Sequence, residues 1–282
     1  MNRAAYMPWP AWGAWGEWTD FKIEELWYDK DQVKVKDNLN LCQILHRGQP
    51  MLLIIQNDPE VPPGNINAAI RELQVQYRVA HPYNNEALPP VDEISAAIVL
   101  GGAMSVHDTA KHPFLAGVKE YIRECVQKET PFLGVCLGGQ LLADILGGRV
   151  TTNSPYGEKG SLPVCLTAAG EEDPLFAGIP REFISFQWHN DSFEIPAGGT
   201  HLAFSAACPG QAFRFGTCAW GTQFHPEVER PIVDCWARWT EETAPATERF
   251  LADFARTEQA YLEVSRRLVG NLVRLAGLAE KV

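Results

Sequence analysis

The feature that most constrains this chain is the segment Gly134–Gln140, which has the sequence GVCLGGQ. The apolar residues before it predict a short buried strand, and the apolar residues after it predict a helix that ends at Gly147. Glycines on both sides of Cys136 let the backbone turn sharply between strand and helix. A thiol at such a turn lies at the positive end of the helix dipole, which favours the thiolate. The pattern therefore predicts Cys136 as a nucleophile.

The remaining cysteines show no such context. The chain has seven cysteines, an odd number, without a Cys-x-x-Cys pair, which disfavours a disulfide scaffold and a structural zinc site. We therefore expect a reducing compartment, no bound metal and no cofactor. Six cysteines lie in contexts typical of small buried hydrophobic residues: Cys42, Cys125, Cys165, Cys208, Cys218 and Cys235.

A base for this nucleophile is predicted at His225, which follows a strand-like run at 219–223. Pro226 restricts the next turn, so that the carboxylate of Glu227 can reach back to the imidazole ring. Taken alone, a histidine at a proline turn is more often a surface residue. Together with the cysteine turn, it predicts a thiol, a base and an orienting carboxylate, namely Cys136, His225 and Glu227.

Acyl chemistry also needs donors for an oxyanion. The backbone N–H of Leu137, the residue after the nucleophile, is one candidate. A second is the N–H of Gly102, in the glycine pair Gly101-Gly102 that follows the strand-like run at 95–100. A glycine pair is more often an ordinary strand-to-loop turn, and that alternative stays open here.

The order of strand and helix signals predicts an α/β fold with a mostly parallel open sheet covered by helices. Short β runs split by Gly and Pro predict a small antiparallel addition between residues 162 and 223. Because ligands bind beyond the carboxyl ends of such strands, the motifs should meet at one edge. The predicted strands are 51–55, 96–100, 131–133, 163–166, 183–186, 201–206, 211–215 and 219–223, and the predicted helices are 65–77, 115–129 and 140–146.

The charge and composition of the chain limit the classes of partner it can have. The 282 residues carry a net charge of −11, which disfavours nucleic acid and anionic membrane surfaces as partners. No apolar stretch is long enough to span a bilayer, and the start lacks a secretory signal pattern. We therefore expect a cytoplasmic enzyme.

Three separated blocks resemble the class I glutamine amidotransferases, particularly stand-alone proteins similar to the glutaminase domain of GMP synthase. The blocks are Gly101-Gly102, Gly134–Gln140, and His225 with Glu227, and the likeness covers about residues 51–227. It implies a flavodoxin-like sheet with these blocks as the oxyanion loop, the nucleophile turn and the late His-x-Glu pair. An acid that follows its histidine by two residues also argues against an α/β-hydrolase.

The same resemblance implies a substrate-binding role for Gly101 and for Gln140. The segment 187–191 is similar to the family's substrate segment, so Gln140 and the backbone near Trp188 and His189 would hold the α-amino acid end of glutamine. The side chain of His189 is equally typical of a hydrogen-bonded structural histidine.

The reaction implied by the resemblance is hydrolysis of the glutamine amide through a cysteine thioester, with ammonia passed to an acceptor enzyme. The sequence has no Ser-Gly-Gly-x-Asp-Ser loop and no Gly-x-x-x-x-Gly-Lys motif, so a synthetase would be a separate polypeptide. Expected partners are thus glutamine, such a synthetase and a second copy of the chain. A γ-glutamyl peptide or conjugate hydrolase and a non-catalytic regulatory protein on the same fold remain as alternatives.

The domain organisation predicted from the sequence has three parts. Residues 1–50 form an extension in which Trp9, Trp12, Trp15 and Trp18 recur every third residue, a period that favours polyproline II or a series of turns. It could pack on the core, contact a partner or reflect an overlong start. The amidotransferase domain follows at 51–230. The tail at 231–282 contains an amphipathic helix, with a candidate break at Gly270, that docks on its own domain or contacts a partner.

Overall fold

A computed structural model describes residues 51–279. The predicted extension at 1–50, with its tryptophan repeat, lies outside the described residues. Strands follow in the order β1 (Leu52–Ile55), β2 (Tyr77–Ala80), β3 (Ala96–Val99), β4 (Phe132–Val135), β5 (Val150–Thr151), β6 (Glu158–Leu166), β7 (Glu182–His189), β8 (Ser192–Phe193), β9 (Gly199–Phe204), β10 (Ala212–Phe215) and β11 (Ala219–Thr222). Helices are α1 (Gly64–Glu72), α2 (Phe114–Gln127), α3 (Leu137–Ile145), α4 (Ala168–Glu171), α5 (Arg230–Ala237) and α6 (Thr247–Leu275).

The larger sheet has a parallel half and an antiparallel half. Its order is β2-β1-β3-β4-β11-β10-β9-β6-β7. Neighbours from β2 to β11 are parallel, and the pairs from β11 to β7 are antiparallel. Strands β5 and β8 form a separate antiparallel pair. The predicted mostly parallel sheet with an antiparallel addition is thus confirmed, and the addition continues the same sheet.

Helices cover both faces of the parallel half. Along β1, Leu52 and Ile54 belong to one apolar cluster with α1, α5 and α6, whereas Leu53 and Ile55 belong to another with α2 and α3. All four side chains are fully buried. Strands buried on both faces explain why the sequence shows unbroken apolar runs here.

The first predicted helix is too long. Residues 65–77 were expected to be helical, but α1 ends at Glu72 and Gln74 takes φ +56°. A left-handed residue at this position ends the helix and turns the chain into the edge strand β2. That strand was not predicted, because only Ala80 among its residues is fully buried and its pattern is weak.

Helix α6 runs without interruption through Gly270, where a break was predicted. Its apolar stripe, including Phe254, Tyr261 and Leu268, packs into the core of its own chain. Burial on one side therefore outweighs the low helix propensity of a single glycine. Within residues 51–279, no helix is long and apolar enough to cross a membrane.

Candidate active site

Three adjacent strands carry the predicted motifs. Gly101 and Gly102 follow β3, Cys136 follows β4, and His225 comes shortly after β11. These strands are parallel neighbours in the order β3-β4-β11, so their carboxyl ends meet at one edge of the sheet. The predicted convergence of the motifs is therefore seen in the structure.

Cys136 lies at a strained turn between β4 and α3. It has φ +49° and ψ −106°, a conformation rare for residues other than glycine. Its N–H donates to the Thr222 carbonyl at 2.8 Å, which ties the turn to β11. A Cβ atom on Gly134 would lie 2.4 Å from Gly138 O, and one on Gly138 would lie 2.0 Å from Val99 O. The flanking glycines thus allow a backbone approach that side chains would block.

His225 and Glu227 form a buried pair. The Nδ1 atom of His225 lies 2.6 Å from Oε1 of Glu227, and the two side chains are 3% and 0% exposed. Within the described residues, Nε2 of His225 has no hydrogen-bond partner. Nδ1 is therefore held by the carboxylate, and Nε2 is the nitrogen free to exchange a proton.

The charge on His225 depends on its neighbours. Burial lowers the pKa of the imidazole, but the Glu227 carboxylate and the Cys136 side chain together outweigh burial and raise that pKa to about 10. Both partners favour the imidazolium because each is negative when ionised. The protonated imidazolium form of His225 is consequently favoured at neutral pH.

The turn that carries His225 is held by α6. The Tyr261 hydroxyl donates to the His225 carbonyl at 2.9 Å and accepts from the Val228 N–H at 2.7 Å. The Ser265 hydroxyl donates to the Pro226 carbonyl at 2.5 Å. The main chain of the turn is therefore fixed by side chains from the C-terminal region of the molecule.

The glycine pair after β3 lies against the cysteine turn. A Cβ on Gly101 would lie 3.1 Å from His225 Cε1 and 3.6 Å from Cys136 Cβ, and one on Gly102 would lie 3.0 Å from a Leu137 methyl carbon. Between residues 51 and 279, no carbonyl or side chain accepts a hydrogen bond from the N–H of Gly102 or Leu137. Gly102 therefore lies against the side chain of Leu137, and the N–H groups of both residues are unengaged.

A cavity of about 580 Å³ opens next to the cysteine. Its lining includes Gly102, Cys136, Gln140, Trp188 and His189, so the residues predicted to bind substrate reach the same cavity as the predicted nucleophile. Gly101, also predicted there, lies behind Gly102 against His225 and Cys136.

The wall and rim of this cavity carry both aromatic and charged side chains. Trp239 contributes a second indole beside Trp188. Lys159 is the basic residue in the lining, and its Nζ lies 3.6 Å from Glu242 Oε2. Further acidic side chains come from Glu60, Asp108 and Asp191. The rim is therefore more acidic than basic.

His189 is turned into the protein. Its ring is 1% exposed, with Nδ1 3.0 Å from the Asp191 carbonyl and Nε2 3.6 Å from Glu158 Oε2. The structural role left open by the sequence therefore fits the ring. Trp188 stacks on Phe186 with ring centres 5.9 Å apart.

Glu158, His189 and Cys208 form the group in the described residues whose donor atoms could hold a metal, all within 4.8 Å of one another. The carboxylate of Glu158 already accepts from Ser205 Oγ at 2.9 Å and Gln211 Nε2 at 2.6 Å. The Cys208 thiol donates to a main-chain carbonyl at 3.6 Å. The carboxylate of Glu158 and the thiol of Cys208 are therefore already hydrogen-bonded within the protein. The cluster is a polar network beside the cavity.

Sequence patterns missed two contributors to the site. Gln223 is fully buried, with Nε2 3.6 Å from Cys136 Sγ. Trp236 on α5 places its ring 4.8 Å from that of His225, edge to face. Gln223 gave no sequence signal beyond its position two residues before His225. Trp236 gave no signal beyond an apolar residue on a helix.

Comparison with known proteins decides the family. The sequence model described as Glutamine amidotransferase class-I matches residues 63–231. This chain belongs to the class I glutamine amidotransferases. The predicted resemblance is thereby confirmed. The matched region contains Cys136, His225 and Glu227, and it ends before α6.

Individual relatives agree with this family. The chain is 36% identical over 156 residues to a glutamine amidotransferase-like protein, YfeJ, of Salmonella typhimurium, covering 54% of this chain and 65% of the relative. It is 31% identical over 167 residues to a glutamine-hydrolyzing GMP synthase subunit of Archaeoglobus fulgidus, covering 58% of this chain and 81% of that one. The match thus spans slightly less than two thirds of YfeJ.

Solved structures show the same architecture. A glutamine amidotransferase from Thermotoga maritima superimposes with a TM-score of 0.73 at 29% identity, covering 80% of this chain and 98% of that one. A glutamine amido transferase from Methylobacillus flagellatus gives a TM-score of 0.72 at 25% identity, covering 83% and 97%. The fold expected for the family is therefore confirmed.

Proposed function

We propose that this chain hydrolyses the side-chain amide of glutamine to glutamate and ammonia. Cys136 is the nucleophile, His225 the general acid and base, and Glu227 the carboxylate that orients His225. The observation that carries the proposal is the buried His225–Glu227 pair, in which Glu227 and then Cys136 raise the pKa of the ring against the effect of burial, and Nε2 has no hydrogen-bond partner among the described residues. This arrangement places a proton acceptor and an orienting group behind a nucleophile that lines the cavity.

In the first half of the reaction, His225 holds the proton of the Cys136 thiol, and the thiolate attacks the amide carbon. The oxyanion accepts hydrogen bonds from the N–H groups of Gly102 and Leu137. The tetrahedral intermediate collapses as His225 donates its proton to the leaving nitrogen. Ammonia departs, and a γ-glutamyl thioester remains on Cys136.

In the second half, water attacks the thioester. His225, now neutral, takes a proton from that water as the new bond forms. The C–S bond then breaks, which regenerates the Cys136 thiolate beside protonated His225, and the new carboxyl group loses its proton to solvent as glutamate is released. Glu227 keeps the ring in one orientation through both halves.

We also propose that the ammonia passes to a separate synthetase polypeptide. The Archaeoglobus relative is named as a glutamine-hydrolyzing subunit of GMP synthase, which supports a division of labour between two chains. That synthetase would determine which molecule receives the nitrogen.

The test is ammonia release from glutamine by the purified full chain, followed by mass spectrometry of the Cys136 peptide for a γ-glutamyl adduct. Cys136→Ala should abolish both, a loss on the order of 10⁶ in the best-studied triad. Cys125→Ala is the matched control, because Cys125 is a fully buried cysteine of α2, remote from the cavity lining. Unchanged ammonia release by Cys136→Ala would refute the proposal.

A second candidate function is hydrolysis of larger γ-glutamyl amides. The cavity of about 580 Å³ favours it, because cavities of roughly 300–1,000 Å³ accommodate drug-sized ligands and glutamine is much smaller. Its test compares kcat/KM for glutamine with kcat/KM for γ-glutamyl amides of progressively longer amines. A rise with amine length supports this function, and a steady fall supports glutamine.

A further inference from the structure

Gln223 contacts the nucleophile and has no role in the mechanism above. Its side chain is fully buried behind the cysteine turn, with Nε2 3.6 Å from Cys136 Sγ, a normal distance for a hydrogen bond to sulfur. Its own N–H donates to the Gln211 carbonyl at 2.9 Å, which fixes the backbone beyond the end of β11. The amide of Gln223 is therefore held at a defined place beside the thiol.

The orientation of this amide can be deduced from its neighbours. The Asp191 carbonyl can only accept, so the atom of Gln140 that lies 3.1 Å from it is the amide nitrogen. The same nitrogen donates its second hydrogen to Gln223 Oε1 at 3.3 Å. With the oxygen of Gln223 occupied in this way, its NH₂ group is the end that faces sulfur.

The Asp191 carbonyl is itself anchored. It accepts from Nδ1 of His189 at 3.0 Å, while Nε2 of that ring faces the buried carboxylate of Glu158 at 3.6 Å. A chain of hydrogen bonds therefore runs from His189 through the Asp191 carbonyl and Gln140 to Gln223 and ends on the nucleophile, with the Glu158 carboxylate near the far side of the His189 ring.

We propose that Gln223 is a catalytic residue that donates a hydrogen bond to the Cys136 thiolate, with its orientation set by Gln140 and the Asp191 carbonyl. This inference rests on the proposed role of Cys136 as nucleophile. A donor stabilises an anionic sulfur more than a neutral thiol, because hydrogen bonds to charged groups are the stronger ones. Gln223 therefore helps to keep the sulfur in its attacking form.

The chain of contacts also defines what Gln140 can offer a ligand. Both hydrogens of its amide nitrogen are used, one by Asp191 and one by Gln223, so only Oε1 remains for the cavity. Gln140 is thus a positioning residue for Gln223.

The experiment measures how the rate of Cys136 alkylation by iodoacetamide depends on pH, with the modified peptide identified by mass spectrometry. Gln223→Met removes the donor and keeps the volume, and should raise the midpoint of that pH dependence by about one unit. Gln223→Glu keeps the shape but replaces a donor with an acceptor, and should raise the midpoint further. Turnover should fall about tenfold in Gln223→Met, with KM changed less than about twofold.

Gln187→Met is the matched control. Gln187 is another fully buried glutamine, and its Nε2 donates to Gln211 Oε1 at 3.0 Å rather than to sulfur. Its midpoint should match that of the unaltered chain. An unchanged midpoint in both Gln223 variants, or an equal shift in Gln187→Met, would overturn the proposal. Alkylation requires no glutamine turnover, so this outcome is separable from failure of the proposed reaction.

Discussion

The turn that carries Cys136 is shaped by its own residues, whereas the turn that carries His225 is held by distant ones. Gly134 and Gly138 belong to one short segment and make room for the cysteine turn, Gly134 against Gly138 and Gly138 against the Val99 carbonyl of β3. The histidine turn instead receives hydrogen bonds from Tyr261 and Ser265 on α6. The two halves of the candidate site are thus built differently, one by a local device (the glycines of the cysteine turn) and one by a non-local device (the side chains of α6), and substitutions in them should have different effects.

The largest effect on stability and activity is expected from a substitution in the cysteine turn, the local device. Gly138→Ala would place a Cβ 2.0 Å from the Val99 carbonyl oxygen, a backbone atom that cannot move without disturbing β3. We expect a loss of about 3 kcal/mol or more in unfolding free energy, and ammonia release reduced to background. Urea unfolding and a glutamine assay measure the two effects.

The control for this change is Gly117→Ala on α2. A Cβ on Gly117 meets nothing within 4 Å, so helix propensity alone should act and add about 0.5–1 kcal/mol. If Gly138→Ala kept full activity, the cysteine turn would not depend on close backbone approach, and the comparison between the two turns would fail.

The second-largest effect is expected from removing the negative charge that contacts His225. Burial lowers the pKa of His225 and Glu227 raises it, so Glu227→Gln should lower this pKa and deprotonate the ring at a lower pH. The imidazolium is present below its pKa and lost above it. The alkaline limb of kcat/KM should therefore move to lower pH, and kcat/KM near neutrality should fall about 10²- to 10⁴-fold.

A pH profile of glutamine hydrolysis tests this change. Glu229→Gln alters the same charge two residues further along, at a half-buried side chain that caps nothing, and should leave the alkaline limb in place. An equal movement of the limb in both variants would assign the effect to overall charge rather than to the carboxylate that contacts His225.

A smaller effect is expected from removing one of the α6 side-chain groups that hold the histidine turn, the non-local device. Tyr261→Phe removes one donor and one acceptor from the histidine turn, leaving the His225 carbonyl and the Val228 N–H without that partner. We expect a loss of about 1–3 kcal/mol in unfolding free energy and roughly a tenfold fall in kcat. Thermal unfolding and steady-state kinetics measure both.

Tyr121→Phe supplies the matched control for this hydroxyl deletion. The Tyr121 hydroxyl is buried and has no hydrogen-bond partner among residues 51–279, so its removal should cost nothing. If Tyr261→Phe behaved like Tyr121→Phe, α6 would not hold the histidine turn.

The same contrast explains what the sequence could predict. The cysteine turn was predictable because its strand, its glycines and its helix are contiguous in Gly134–Gln140 and its neighbours. The pairing of His225 with Glu227 was predictable because the two residues are close in sequence and Pro226 restricts the turn between them. Parallel strands then place both at one edge by a general rule.

The support from α6 was not predictable in this way. Periodicity indicates that Tyr261 faces the core, but it does not indicate which carbonyl its hydroxyl will meet. Ser265 likewise lies on the buried face with no sequence signal of its own. Long-range pairing of this kind depends on how α6 packs across the sheet, and that geometry comes only with the folded structure.

The smallest expected effect tests whether α6 is a continuous support. A Cβ on Gly270 would meet only the Arg274 guanidinium, at 3.5 Å and beyond, so Gly270→Ala should fit and add about 0.5–1 kcal/mol to the unfolding free energy. Gly277→Ala, just after the helix at φ +66°, should instead destabilise. A loss of stability in Gly270→Ala would mean that the helix bends there, so that Tyr261 and Ser265 would be fixed without help from the last turns of α6.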